Sequence, residues 1–264
     1  THDPLGFVLA MFPWGKAGGP LADKTGPDLW QRKALNDIGA ALKAGKHLEG
    51  AIQEAISSGH GVGKSAFFAW LILWSMSTCG DTRGVITANT ENQLRTKTWP
   101  ELAKWHRMCL CGHWFTFTAT ALFSKEPGRD KTWRFDAVPW SENNVEAFAG
   151  LHNEGRRIMA LMDEASAIPD LIWETLEGAL TDSNTEILWI AAGNPTRNTG
   201  RFRECFGRRK HRWITQQVDS RTVAITNKSQ INKWAEDYGE DSDFFRVRVR
   251  GLFPMAASSQ FIST

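Results

Sequence analysis

The chain has 264 residues, 42% of them hydrophobic, and a formal net charge of +2 from 31 basic and 29 acidic side chains. These values predict a globular chain of one α/β domain with short appendages, and they exclude a disordered chain and a histone-like polycation. Four cysteines at this length indicate reduced thiols rather than a disulfide framework. The longest apolar run, residues 66–76, is too short to span a bilayer, so we expect no membrane association.

The first part of the chain divides into an arm, a helix and a glycine-rich loop. Residues 1–27 are rich in glycine and proline and predict an extended arm. Apolar side chains at helical spacing predict a helix over residues 28–44. An apolar stretch at 51–57 leads into the glycine-rich segment, and residues 65–76 are apolar nearly all round, which indicates a buried helix.

Strands and helices alternate through the rest of the chain. We predict strands at residues 85–88, 116–120, 132–138, 158–162 and 187–192, and helices at 90–110, with a break near Pro100, and at 170–180. Continuous apolar strands alternating with helices are typical of a mostly parallel sheet with helices on both faces. We therefore expect an α/β core over residues 28–218, a helical extension over 219–254 and the start of a linker at 255–264.

The glycine-rich segment predicts a phosphate-binding loop. It reads Ser58, Gly59, His60, Gly61, Val62, Gly63, Lys64 and Ser65, which is the pattern GxxxxGK(S/T) with serine at the first glycine position. In such a P-loop the backbone N–H groups face the phosphates and the following helix adds its positive dipole. Lys64 would reach the β- and γ-phosphates of ATP, and the Ser65 hydroxyl would bind Mg²⁺. The alternative is a glycine-rich turn that contains Lys-Ser without a ligand.

Two adjacent acids follow the apolar strand at residues 158–162. Ligands of open α/β sheets bind at the carboxyl ends of the strands. Asp163 would hold Mg²⁺, and Glu164 would polarise the attacking water as a general base. An Asp-Glu pair could also form a solvated turn or cap a helix.

The strand at residues 187–192 ends in the polar turn Gly193-Asn194-Pro195. The side-chain amide of Asn194 could contact the γ-phosphate or the attacking water, although Asn-Pro also forms turns that bind nothing.

Two further clusters have less specific patterns. Residues 106–113 contain two cysteines and two histidines, but their spacing is too tight for an ordinary zinc finger, and the cluster could simply end a helix with core thiols. Residues 201–212 are rich in arginine and could follow a phosphate backbone or form a solvated face.

Four segments together resemble the large terminase subunit of tailed bacteriophages, the ATPase that drives double-stranded DNA into the procapsid. They are Ser-Gly-His-Gly-Val-Gly-Lys-Ser, Leu-Met-Asp-Glu-Ala-Ser, Ala-Gly-Asn-Pro-Thr and Arg-Val-Arg-Val-Arg-Gly-Leu-Phe-Pro. The resemblance implies a RecA-like P-loop NTPase fold of the ASCE class, with a further strand between the two motif strands. It also implies that Asn194 lies in the turn that couples hydrolysis to movement, and that Gln31 and Trp30 lie near the adenine. A surface helix start is the alternative for Trp30 and Gln31.

The resemblance further implies the catalytic cation, the partners and a missing part. Some family members carry arginine in the P-loop where this chain has His60, so we expect the cation to be Arg156 or Arg157 acting on a neighbouring subunit, with Arg95 as a third candidate. Each of these could instead be a solvated surface arginine. Expected partners are double-stranded DNA, the portal protein, the small terminase subunit and other copies of the chain in a ring, presumed a pentamer, in the host cytoplasm at the procapsid and not in the mature virion. A nuclease domain is expected to follow the linker. A helicase or a repair or replication ATPase with a RecA-like fold is the alternative function.

Overall fold

Eight strands form a single sheet in the computed structural model, which describes residues 1–88, 90–140 and 151–255. In chain order they are β1 (Ile52–Ser58), β2 (Arg83–Thr87), β3 (Phe115–Phe117), β4 (Ala121–Ser124), β5 (Arg134–Ala137), β6 (Arg157–Asp163), β7 (Glu186–Gly193) and β8 (Ile214–Val218). Their order across the sheet is β3-β4-β5-β2-β6-β7-β1-β8. All neighbours from β5 to β8 are parallel, and only β3, β4 and β5 pair antiparallel. The predicted, mostly parallel sheet is confirmed, with β7 between β1 and β6.

Helices cover both faces of this sheet. Within the described residues the α-helices are α1 (Pro4–Met11), α2 (Leu29–Lys43), α3 (Lys64–Thr78), α4 (Glu91–Gln93), α5 (Trp99–Met108), α6 (Asp170–Ala179), α7 (Arg201–Cys205), α8 (Lys228–Tyr238) and α9 (Asp243–Phe245). Successive residues of β6 belong to opposite cores: Met159 and Leu161 pack with α2, α3 and α5, whereas Ile158 and Ala160 pack with α6 and α7. Because side chains alternate along a strand, a strand buried on both faces must be apolar throughout, as β6 is.

The N-terminal arm is not extended, as the glycine and proline content had predicted. Asp3 accepts a hydrogen bond from the Gly6 N–H, and Pro4 occupies the first helical position of α1. An acidic cap followed by proline is a favourable helix start, because proline lacks only an N–H that would be unpaired there. Val8 and Phe12 are buried in the core beside α2 and α3. Residues 1–12 are therefore part of the domain.

The sheet's two edges differ most from the predicted strands. β3 begins one residue before the strand predicted at 116–120, and β4 was not predicted. β8 was also not predicted, since its sequence Ile-Thr-Gln-Gln-Val is polar and it pairs on one side with β1. The helix predicted at 90–110 is observed as α4, a π-helical turn at Leu94–Thr98 and α5, so its irregularity precedes Pro100.

The C-terminal extension forms α8, α9 and a π-helical turn, Arg246–Arg250. It packs against the end of β1, where the Ser57 hydroxyl donates to the Gly251 carbonyl. The helical character predicted for residues 219–254 is thus observed. The predicted linker lies outside the described residues except for Met255.

Candidate active site

The P-loop connects β1 to α3 at the carboxyl edge of the sheet. β1 ends at Ser58, and α3 begins at Lys64. Gly61 and Gly63 have φ angles of +73° and +89°, in the left-handed region that favours glycine. The strand, loop and helix therefore follow one another as predicted.

Gly59 is required for a different reason, because the C-terminal extension approaches it closely. A Cβ on Gly59 would lie 2.2 Å from the Ser220 hydroxyl and 2.3 Å from the Val249 carbonyl. The next residue is held by the same segments, since the His60 N–H donates to the Arg248 carbonyl at 2.7 Å and the Ser220 hydroxyl donates to the His60 carbonyl at 2.8 Å. The extension is thus bonded directly to the P-loop.

The ring of His60 contacts a cation that the sequence did not single out. The Arg248 guanidinium donates to His60 Nε2 at 3.0 Å. Burial lowers the pKa of His60, and the neighbouring cations Lys64 and Arg248 lower it further. A neutral ring with an unprotonated Nε2 can accept this bond. Arg248, on the same chain, therefore stands where some relatives are expected to have a P-loop arginine.

Lys64 lies between the P-loop and the acidic pair. Its ammonium is 3.4 Å from the Ser58 hydroxyl and 3.8 Å from Glu164 Oε1, with only 10% of the side chain exposed. Ser65 occupies the second position of α3 and lines the same cleft as Asp163. The sheet topology has brought together residues of β1, α3 and β6 that are far apart in the sequence.

Asp163 ends β6 and is held by two hydrogen bonds. Its Oδ2 accepts from the Thr98 hydroxyl at 2.6 Å, and its Oδ1 accepts from the Glu164 N–H at 3.0 Å. Burial raises the pKa of Asp163, and the negative charge of Glu164 raises it further, against the opposing effects of Lys64 and Thr98. A carboxylate buried in this way gains from a nearby cation.

Glu164 turns its side chain into the cleft through an unusual backbone conformation. Its φ is +51°, which few non-glycine residues adopt, and such residues cluster at functional sites. Gly193 on β7 makes room for this turn, because a Cβ there would lie 2.8 Å from the Ala165 nitrogen. Glu164 keeps 30% of its side chain exposed, which a group that contacts water requires.

Asn194 bonds to the P-loop strand. Its Nδ2 donates to the Ser58 carbonyl at 2.6 Å, and the residue is 3% exposed. The amide therefore links the carboxyl ends of β7 and β1. Contact with a γ-phosphate stays a prediction.

Trp30 and Gln31, on the first turn of α2, also contact the P-loop. Trp30 Nε1 donates to the Val62 carbonyl and Gln31 Nε2 donates to the Gly63 carbonyl, both at 3.0 Å. Gln31 Oε1 accepts from the Asp28 N–H at 2.8 Å, so both ends of this amide already have partners. The two residues support the loop from below, and recognition of adenine by Gln31 stays a prediction.

Arg157 does not fit the role of a catalytic cation. It begins β6, whereas Asp163 ends it, about 20 Å away for an extended strand. Its side chain is 1% exposed, is paired with Glu186 at 2.6 Å and lies over the Trp74 ring. The neighbouring Arg156 is exposed at the same end of the strand, so any action on a neighbouring subunit stays a prediction.

The two weaker clusters gain little support. In the described part of the chain there is no group of three or more His, Cys, Asp or Glu side chains that could hold a metal ion. The arginines of residues 201–212 are largely neutralised by two glutamates. Glu177 pairs with Arg201, Arg209 and Arg212, and Glu204 pairs with Arg208 and Arg209.

These groups open onto one cleft of about 770 Å³ between the P-loop, α5 and residues 23–28. This is a volume typical of small-ligand sites. Thr98, Lys97 and Gln93 also line it, and the sequence did not single them out. The helix break before Pro100 was the sole hint at this wall. Within residues 1–88, 90–140 and 151–255, no helix is both long and apolar enough to cross a membrane.

No protein-family model matches the chain. It is 26% identical over 215 residues to a probable terminase large subunit of Enterobacteria phage P7, a match that covers 76% of this chain and 42% of the relative. This chain thus spans less than half the length of that curated relative.

Solved phage terminases share the fold. The large terminase of bacteriophage HK97 superposes with a TM-score of 0.67 at 13% identity, over 95% of this chain and 55% of that one. The large terminase ATPase domain of Thermus phage P74-26 gives 0.56 at 16% identity, over 77% and 89%. A large terminase from a thermophilic bacteriophage, solved with ADP, gives 0.60 at 13% identity, over 96% and 53%. The chain is thus related in sequence to the large subunit of phage terminases and has the RecA-like fold of their ATPase domain.

Proposed function

We propose that this chain is the ATP-hydrolysing motor domain of a phage terminase large subunit, which moves double-stranded DNA into a procapsid. The observation that carries the proposal is the convergence of Lys64, Asp163 and Glu164 in one cleft, with Lys64 Nζ 3.8 Å from Glu164 Oε1. A lysine and a carboxylate that meet at the end of a P-loop are the groups that nucleotide hydrolysis requires. The similarity to the phage P7 protein and the ADP bound by a structural neighbour support it.

The triphosphate of ATP would bind against the P-loop. Backbone N–H groups of residues 59–65 and the start of α3 would contact its oxygens, and Lys64 would neutralise charge between the β- and γ-phosphates. Ser65 and Asp163 offer the hard oxygen ligands that Mg²⁺ prefers, so the residues present fit this ion. Bound there, Mg²⁺ would neutralise charge on the β- and γ-phosphates.

Glu164 would act as the general base. It takes a proton from water while the water oxygen bonds to the γ-phosphorus, and the bond to the β–γ bridging oxygen breaks with its electrons passing to ADP. Lys64 stabilises the charge that develops on the transferred phosphoryl group. Glu164 is exposed enough to meet water and close enough to Lys64 to stay ionised.

Hydrolysis would be coupled to DNA through the segments bonded to the P-loop. Asn194 joins β7 to the Ser58 carbonyl, and Arg248 joins the C-terminal extension to His60. A change in the P-loop on phosphate release would move both. The portal protein, the small terminase subunit and further copies in a ring would complete the motor, at the procapsid in the host cytoplasm.

ATP hydrolysis by the purified chain tests this proposal, with and without double-stranded DNA. We expect Mg²⁺-dependent hydrolysis that double-stranded DNA stimulates and that Lys64→Ala abolishes. Lys46→Ala is the matched control, because Lys46 is exposed and pairs with Glu49 alone. Unchanged hydrolysis in Lys64→Ala would refute the P-loop assignment. Stimulation by single strands with strand separation would indicate a helicase instead.

A further inference from the structure

Thr98 reaches Asp163 from a different layer of the fold. It follows β2 on the helical segment that forms one wall of the cleft, and it is 3% exposed. Its hydroxyl donates to Asp163 Oδ2 at 2.6 Å, a short bond typical of a hydroxyl and a carboxylate. Apart from the N–H of Glu164 on Oδ1, this is the hydrogen bond that fixes the orientation of the Asp163 carboxylate.

The helix is distorted where it delivers this hydroxyl. Between α4 and α5 the chain forms a π-helical turn, Leu94–Thr98, in which the Trp99 N–H bonds to the Leu94 carbonyl five residues back. Such turns are rare and are frequent at functional sites. Each residue of an α-helix advances about 100°, so the extra residue changes by about that angle the direction in which the segments before and after it face. The distortion lets Gln93 and Lys97 line the cleft together with Thr98 while Trp99 and Leu102 stay in the core.

We infer that Thr98 is a positioning residue for nucleotide hydrolysis. Its hydroxyl holds the Asp163 carboxylate in the one orientation in which the remaining lone pairs face the Mg²⁺ and nucleotide site. Groups that orient a metal ligand in this way typically contribute 10- to 100-fold to metal affinity or activity. The inference rests on the proposed ATP hydrolysis and adds to it a residue from outside the P-loop and the acidic pair.

The test compares Thr98→Val, which keeps the shape and removes the donor, with Thr98→Ser, which keeps the donor. Thr96→Val is the matched control, because Thr96 lies two positions away, is exposed and bonds to the Asn92 carbonyl of its own helix. We expect Thr98→Val to lower kcat by roughly 10- to 100-fold at a nearly unchanged KM for ATP. Thr98→Ser should stay within about threefold of the unmodified chain, and Thr96→Val should not differ from it.

A binding measurement gives a readout besides activity. Titration calorimetry with ATPγS, with and without Mg²⁺, should show that Thr98→Val loses most of the affinity that Mg²⁺ adds, while its Mg²⁺-free affinity is unchanged. Thr98→Ala provides the same loss if the valine variant does not fold.

Three results would overturn the inference. They are normal kcat and Mg²⁺ dependence in Thr98→Val or Thr98→Ala, equal loss in the serine and valine variants, or equal loss in Thr96→Val. Absence of hydrolysis by the unmodified chain would instead refute the proposed function, so the two failures are distinguishable.

Discussion

Replacing Arg157 by methionine separates a structural role of this residue from a catalytic one. Methionine keeps the length of the buried stem and removes the charge. The change breaks the ion pair with Glu186 and the hydrogen bond to the Thr78 hydroxyl at 2.9 Å, and it removes the guanidinium 4.3 Å above the Trp74 ring. Each lost contact stabilises the folded chain and not ATP.

The magnitude follows from burial. Breaking a buried pair by removing one partner costs about 3–5 kcal/mol, because the other charge is left uncompensated. Glu186 is 20% exposed and also pairs with His2 at 2.5 Å, so we take the lower end, about 3 kcal/mol. At roughly 2–4 °C per kcal/mol for a domain of this size, the melting temperature should fall by about 6–12 °C.

The destabilisation should depend on pH. Burial raises the pKa of Glu186, but the charge of Arg157 and the hydrogen bonds from His2 and Arg157 outweigh this and leave the pKa below its ordinary value of 4.5. A lowered pKa in the folded state means that the pair stabilises the fold above about pH 4.5 and that this is lost as the pH falls through the lowered value. The difference between Arg157→Met and the unmodified chain should therefore shrink in acid.

Thermal unfolding at pH 7 and at pH 4, followed by circular dichroism, measures this. Arg156→Met is the matched control, since Arg156 is exposed and its loss should change stability by less than about 0.5 kcal/mol. A variant Arg157→Met that melts with the unmodified chain but has lost ATP hydrolysis would refute the structural role and restore the catalytic one.

Two further substitutions test how the P-loop is supported. Gly59→Ala should destabilise the fold by about 1–3 kcal/mol, because its Cβ would lie 2.2 Å from the Ser220 hydroxyl and 2.3 Å from the Val249 carbonyl. Gly178→Ala, in a helix with open space around it, should instead stabilise it by up to about 1 kcal/mol, and equal melting temperatures for the two variants would contradict this reasoning. Gln31→Ala should cost about 1–2 kcal/mol in urea unfolding through loss of both amide hydrogen bonds, and an unchanged midpoint would show that they contribute nothing.

The sequence predicted best the strands that are buried on both faces. The strands expected at 158–162 and 187–192 lie within β6 and β7, because a strand covered on both faces is continuously apolar and ends abruptly at polar residues. Parallel strands end at one edge, so the meeting of Lys64 with the acidic pair was also predictable.

Contacts that depend on register or helix packing could not be predicted. Arg157 was expected to be accessible, since a charged residue at the start of a strand is usually exposed. Its burial follows from the register of β6 and β7, which pairs it directly with Glu186. Thr98 gave no signal for a similar reason, because its contact with Asp163 depends on how one helix packs against the sheet.

Glycine and proline content was misleading at the N-terminus. Composition predicted an extended arm over residues 1–27, but the local start signal Asp3-Pro4 governs the conformation of α1. The polar edge strand β8 was missed because a strand with one neighbour needs no apolar pattern.

The measurement that tests the central claim most directly is ATP binding and ATP hydrolysis by Glu164→Gln beside the unmodified chain. The amide keeps the shape of the side chain and cannot take a proton from water. We predict that the variant binds ATP within about threefold of the unmodified chain and hydrolyses it at least ~100-fold more slowly. Hydrolysis at a near-normal rate would show that Glu164 is not the base, and the active site assigned to this cleft would then be wrong.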